Sequence, residues 1–195
     1  MARALVVYYS LSGTTKQVAD ILVTELQKIR IETIVEVIKC TQAEGAGMAK
    51  QGFRTVFGTK YVLDNPPQND PREFEYVLIG SPIWSLGNTP VLDEWMKLVK
   101  FDTTKTKFGA FIQCFGTFYN KIFNKIEKVV GKPLTAKVPI FQKEAKNSPE
   151  IITKKIEDFV NGMFPIENSA NAAATETYAE GSPQNDEVKE ESKTE

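Results

Sequence analysis

Residues 3–9 are apolar from Ala4 onward and rich in Val and Tyr, and the pattern that follows has a different period. A continuous apolar run of this length suits a strand buried on both faces of a parallel sheet. Val18, Ile21, Leu22, Leu26 and Ile29 then recur mostly every three or four positions, the spacing of an amphipathic helix. Residues 33–38, TIVEVI, read as a second strand. Strand, helix and strand in succession make a βαβ unit, so the sheet is parallel and its crossover right-handed.

The alternation continues along the chain. A short helix is expected over 43–55, weakened by Gly45, Gly47 and Gly52, and DNPPQNDP after it is coil. Residues 75–80 predict a third strand and 90–99 a helix with proline in its first turn, where a missing N–H does no harm. Residues 108–114 predict a fourth strand. NKIFNKIEKVVG predicts a helix with Ile122, Ile126, Val129 and Val130 inward and Gly131 ending it. Residues 134–141 are a candidate fifth strand interrupted by Pro139. A last helix, Pro149 to Met163, carries Ile151, Ile152, Ile156, Phe159 and Val160. Strands alternating with helices in this way predict an α/β fold: a three-layer, doubly wound, five-stranded parallel sheet in the order 2-1-3-4-5.

Composition changes this picture mainly at the C-terminal end. Residues 1–165 hold 22 basic and 17 acidic side chains, net +5, whereas 166–195 hold two lysines and eight acids, net −6. The latter stretch is rich in Ala, Asn, Glu, Thr and Ser and has too few large apolar groups to offset chain entropy. The expected organisation is therefore a folded domain over 1–165 and a disordered acidic tail. The apolar runs are too short for a membrane span or a signal-peptide core, so the expected location is the cytoplasm. There is no histidine, which excludes a histidine-based triad or metal site, and Cys40 and Cys114 have no metal-ligand spacing. Neither a nucleic-acid nor a membrane partner is expected, and the chain is expected to be a monomer or weak dimer.

Candidate chemistry lies in three loops. In open α/β sheets ligands bind beyond the carboxyl ends of the strands, where the strand order reverses, here between strands 1 and 3. The first loop, Ser10-Leu-Ser-Gly-Thr-Thr15, precedes a helix whose N-terminal N–H groups favour an anion. Ser10, Ser12, Thr14 and Thr15 add four hydroxyls, and Gly13 lets the backbone turn closely. With no Lys or Arg inside the turn, the expected guest is a single phosphate monoester; the plainer alternative is an N-cap cluster. The second loop, Gly80-Ser-Pro-Ile-Trp-Ser-Leu-Gly-Asn-Thr-Pro90, presents Trp84 either to a planar ring or back onto the domain as a lid. The third, Cys114-Phe-Gly-Thr-Phe-Tyr-Asn120, offers Phe115, Phe118 and Tyr119, of which Phe118 and Tyr119 equally suit core anchors of the next helix. Cys114, at the end of a buried strand, is expected to be inert packing. A phosphate at one end and a flat ring at the other describe FMN.

Strand, S-x-S-G-T-T and helix resemble the phosphate-binding signature of the flavodoxin family, T/S-x-T-G-x-T. GSPIW followed by proline and PVLDEWM is similar to the second flavin loop in the branch related to NAD(P)H-dependent flavin and quinone reductases. The likeness runs from residue 3 to about 163. It implies that Ser10, Ser12, Gly13, Thr14 and Thr15 bind the FMN phosphate. Pro82, Ile83 and Trp84 would line the isoalloxazine, with contacts from Ser85 and Gly87. Cys114, Phe115, Gly116 and Thr117 would form the opposite wall. The family's electron carriers have a longer, acidic third loop with a stacking tyrosine, whereas this loop is short and Tyr119 is the tyrosine within it. Three functions stay open: an FMN electron-transfer protein with a redox partner protein, a reductase using NAD(P)H or quinone, and an interaction module without cofactor. The basic body favours an acidic partner or an anionic cosubstrate.

Overall fold

Alternation along each strand decides the architecture of this chain, because odd and even side chains leave a strand on opposite faces. In the computed structural model, which describes residues 2–44, 60–84, 89–116 and 119–165, Leu5, Val7 and Tyr9 of β1 (Arg3–Tyr9) join one buried cluster and Ala4, Val6 and Tyr8 the other. The remaining strands are β2 (Glu32–Ile38), β3 (Tyr76–Pro82), β4 (Lys107–Cys114) and β5 (Ala136–Phe141). All four pairings are parallel and the order is β2-β1-β3-β4-β5.

Six helices are described in addition to a 3-10 turn at Pro71–Glu73: α1 (Thr14–Lys28), α2 (Thr41–Glu44), α3 (Pro90–Leu98), α4 (Tyr119–Val130), α5 (Gln142–Asn147) and α6 (Pro149–Met163). Val18, Leu22 and Leu26 of α1 and Ile152, Ile156 and Phe159 of α6 cover one face of the sheet. Val91, Leu92 and Trp95 of α3 and Ile122, Phe123 and Ile126 of α4 cover the other. Each such side chain contributes about 1.5–3 kcal/mol through burial. This is the expected three-layer fold, and its first 164 residues form one compact unit. No helix among the described residues is long and apolar enough to cross a membrane.

The edge strand β2 is secured by a charge. Glu36 is buried, accepting from Trp95 Nε1 at 2.7 Å and from the backbone N–H and Nδ2 of Asn69 at 3.0 and 2.7 Å. A carboxylate can be buried when its oxygens meet such donors. The bonds fasten α3 and the coil before Pro71 to this edge strand.

Several sequence expectations shift. β3 continues through Ser81 and Pro82, which pair in register with Ile112 and Gln113, so Pro82 ends a strand and does not open a loop. Pro139 lies within β5 without interrupting it, because β5 is an edge strand and its outward side needs no N–H. Val129 is 43% exposed and Phe123 takes the inward place expected for it. Ile29 and Ile151 are likewise exposed. Of the helix expected over 43–55, Thr41–Glu44 is helical and 45–59 lie outside the described residues, as does the tail 166–195. Gly131 ends α4 as expected, with φ 82° and its N–H on the Glu127 carbonyl at 2.9 Å.

Candidate functional site

The phosphate-type loop leaves β1 at Tyr9 and turns at Gly13, whose φ of 84° and ψ of −14° lie in the left-handed region. That conformation favours glycine, and α1 begins one residue later. Gly13 itself makes no side-chain cap. Instead Ser10 Oγ accepts from the Lys16 N–H at 3.2 Å, so one hydroxyl does serve as a cap. Ser12 Oγ and Thr14 Oγ1 lie 3.2 Å apart. Ser12 and Gly13 are exposed and Ser10 and Thr14 half-buried. Among the described residues no acceptor bonds the N–H groups of Ser12, Gly13, Thr14 or Thr15. Four open N–H groups at a helix start, with two side-by-side hydroxyls over them, form a cradle for an anion.

Thr15 plays a different part. It is buried, and its Oγ1 donates to Gln113 Oε1 at 3.3 Å. Its hydroxyl is therefore committed to the end of β4, leaving its backbone N–H for a guest. Lys16, in the first turn, pairs with Asp20 at 2.7 Å, so its charge is already answered.

Beyond β3, the Ile83 N–H donates to the Gln113 carbonyl at 2.8 Å. Trp84 is half-buried and packs edge-on against Tyr9 and Tyr61, with ring centroids at 6.0 and 5.6 Å. It thus folds back onto the domain while keeping part of its surface open. Tyr61 lies in the connection between β2 and β3 and was invisible as a site residue in the sequence. Burial lifts the Tyr9 phenol far above its usual range, so it stays protonated. Ser85 and Gly87 lie outside the described residues.

At the end of β4, Cys114 is buried and burial pushes its thiol up, so it is an inert packing group. Phe115 is the opposite case, a phenyl ring 77% exposed at the carboxyl edge of the sheet, followed by the open Gly116. Tyr119 turns inward, edge-on to Phe123 and Phe141 at 6.2 and 5.9 Å, and is a core anchor. Thr117 and Phe118 lie outside the described residues. Gln113, absent from every motif, touches both other loops.

No family model and no curated protein matches the sequence. Solved structures do. A flavodoxin of Streptococcus pneumoniae TIGR4 is 14% identical, with a TM-score of 0.55 over 83% of this chain and 97% of its own. A flavoprotein of Lactobacillus acidophilus NCFM, solved in complex with FMN, is 22% identical, with a TM-score of 0.50 over 75% and 97%. A Klebsiella pneumoniae protein assigned as a quinone reductase is 8% identical, with a TM-score of 0.58 over 85% and 86%. Likeness at such identities is one of fold, and the fold of this chain is flavodoxin-like.

Proposed function

We propose that this chain is an FMN-binding electron-transfer protein that works with a redox partner in the cytoplasm. The observation that carries the reading is the conjunction at one sheet edge of an anion cradle, Ser12 to Thr15, with aromatic surface from Trp84 and Phe115. The residues fit the group. The open N–H groups and the Ser12 and Thr14 hydroxyls suit a phosphate monoester, and the absence of Lys or Arg from residues 10–15 suits a single phosphate better than a polyphosphate. Bound there, FMN would supply the redox chemistry.

The protein's part is to hold and enclose. Ser10 fixes the first turn of α1 through the Lys16 N–H, so the donors beside it are preset. Pro82 and Ile83 are held by β4, and Trp84 by Tyr9 and Tyr61, so the ring side of the site is built on fixed backbone. Phe115 and Gly116 offer an opposite wall, and Ser85, Gly87 and Thr117 are proposed as further contacts on grounds of sequence alone. No acid or base is required of a side chain, which accords with the lack of histidine and with a protonated Cys114.

The second reading, an NAD(P)H-dependent FMN or quinone reductase, is favoured by the net +5 of residues 1–165, which attracts anionic cosubstrates. The two part in one experiment. Protein loaded with FMN is mixed with NADH or NADPH under argon and its visible absorbance followed. The carrier reading expects a stable spectrum until a partner reductase is added, and rapid bleaching by either nucleotide alone would replace it with the reductase reading. Protein that takes up no FMN at all would leave an interaction module.

A further inference from the structure

Gln113 stands where the three loops meet. It is the penultimate residue of β4, in register with Pro82 on one side and Ile140 on the other. Its backbone carbonyl accepts from the Ile83 N–H at 2.8 Å, and its side chain reaches the first turn of α1, where Oε1 accepts from Thr15 Oγ1 at 3.3 Å. The residue is 9% exposed.

A primary amide brings two N–H donors and a carbonyl acceptor. Gln113 makes one side-chain hydrogen bond among the described residues. Whichever way the amide is turned, at least one of its N–H groups has no protein partner. That free N–H is not sealed in the core: its atom keeps contact with solvent where the loops meet. The chain therefore places a neutral donor, open to water or to a guest, between the anion cradle and the start of the aromatic loop.

Resting on the FMN reading above, we propose that the Gln113 side-chain amide donates to the ribityl hydroxyls of the flavin, making it a further cofactor-binding residue. The phosphate lies at the start of α1 and the ring against Ile83 and Trp84, so the ribityl chain is the part of the ligand that passes Gln113. An uncharged amide matches an uncharged alcohol, whereas the phosphate already has the helix N-terminus.

The test uses the full chain with Gln113→Glu at mildly alkaline pH. A carboxylate keeps an acceptor for the Thr15 hydroxyl and removes both donors. Riboflavin and FMN are titrated against apo-protein by quenching of flavin fluorescence, and the melting temperature of the apo form is recorded. The expected result is an unchanged melting temperature and a riboflavin dissociation constant raised about tenfold, the loss of roughly one hydrogen bond, with FMN weakened at least as much. Riboflavin bound as tightly as by wild type, with any loss confined to FMN, overturns the assignment, since the effect would then be repulsion of the phosphate. If the buried carboxylate lowers the melting temperature, the Gln113→Met/Thr15→Val double variant removes the amide together with the hydroxyl it ties. The same riboflavin loss is then expected, and unchanged riboflavin affinity again overturns it. Wild-type protein that binds neither flavin contradicts the FMN reading itself, before any variant is compared.

Discussion

Gly80→Ala is expected to destabilise the fold by about 3 kcal/mol, the upper end of the usual cost of overpacking a core. A Cβ at position 80 would run into the Phe111 ring, overlapping Cζ and Cε2 and lying 2.9 Å from Cε1. Gly80 and Phe111 are cross-strand neighbours, and the ring lies over the glycine because nothing projects there. The ring cannot simply swing aside, since Phe111 is buried in the same cluster as Tyr8, Leu78 and Val138. Urea unfolding of the variant measures the loss. The added methyl and the ring are a contacting pair, so Gly80→Ala/Phe111→Leu should recover much of the stability, a coupling that a double-mutant cycle reads directly. A Gly80→Ala protein as stable as wild type would mean that the close approach of these strands is wrong. Gly109 provides the contrast. Its added Cβ would meet side-chain ends less tightly, Met163 Sδ and Phe159 Cζ at 2.8 Å and Leu78 Cδ2 at 3.0 Å, so flexible Met163 can give way and the buried Phe159 ring need shift less than Phe111 would. Gly109→Ala is the milder change for that reason.

Ser12→Ala/Thr14→Ala should weaken FMN about 100-fold while leaving riboflavin affinity unchanged. Hydrogen bonds to a charged group contribute about 1.5–3 kcal/mol each, and about 1.4 kcal/mol is a factor of ten. Two such bonds to a phosphate support at least that loss. Riboflavin lacks the phosphate and is the internal control. Neither hydroxyl holds the fold, for they bond each other at 3.2 Å at the surface, so apo stability should move within about 0.5 kcal/mol. Ser10 behaves differently. Its Oγ caps the Lys16 N–H, and Ser10→Ala should cost the helix about 1 kcal/mol even without ligand. Calorimetric titration of both flavins checks the first expectation; equal loss for riboflavin and FMN would mean that these hydroxyls do not face a phosphate.

Much of the fold could be read from the chain because its strongest elements carry their own punctuation. β1 is apolar from Ala4 to Tyr9 and closed by the Ser-rich turn, and α6 starts at a proline and keeps a helical period to Met163, so the bounds of each fall where the pattern places them. α5 leaves no mark in the pattern, since Gln142–Asn147 is polar and too short to show a period. Pro139 misled because strand propensity does not say which strand is an edge. Val129 misled because an apolar residue beside the inward stripe of a helix looks like part of it.

The site was legible where it rests on motif and less so where it rests on tertiary contact. Gly13 at the turn and Ser10 to Thr15 around it could be found, as loop composition and helix start coincide. The inward turn of Thr15 could not, since it depends on Gln113, 98 residues later. Gln113 and Glu36 both sit inside apolar strand runs, where a polar residue reads as noise until its partners are seen. Loop composition does not decide between ligand and lid for Trp84, and Tyr9 and Tyr61 show how one ring can be anchored in the domain and still keep an open face.

The claim on which the functional account rests is that the edge formed by Ser10–Thr15, Pro82–Trp84 and Cys114–Gly116 holds FMN. Isothermal titration of the apo-protein with FMN tests it most directly. The account predicts a single saturable heat, one FMN per chain, and a yellow protein that releases FMN on denaturation. No heat, with protein that remains colourless after reconstitution, would contradict it.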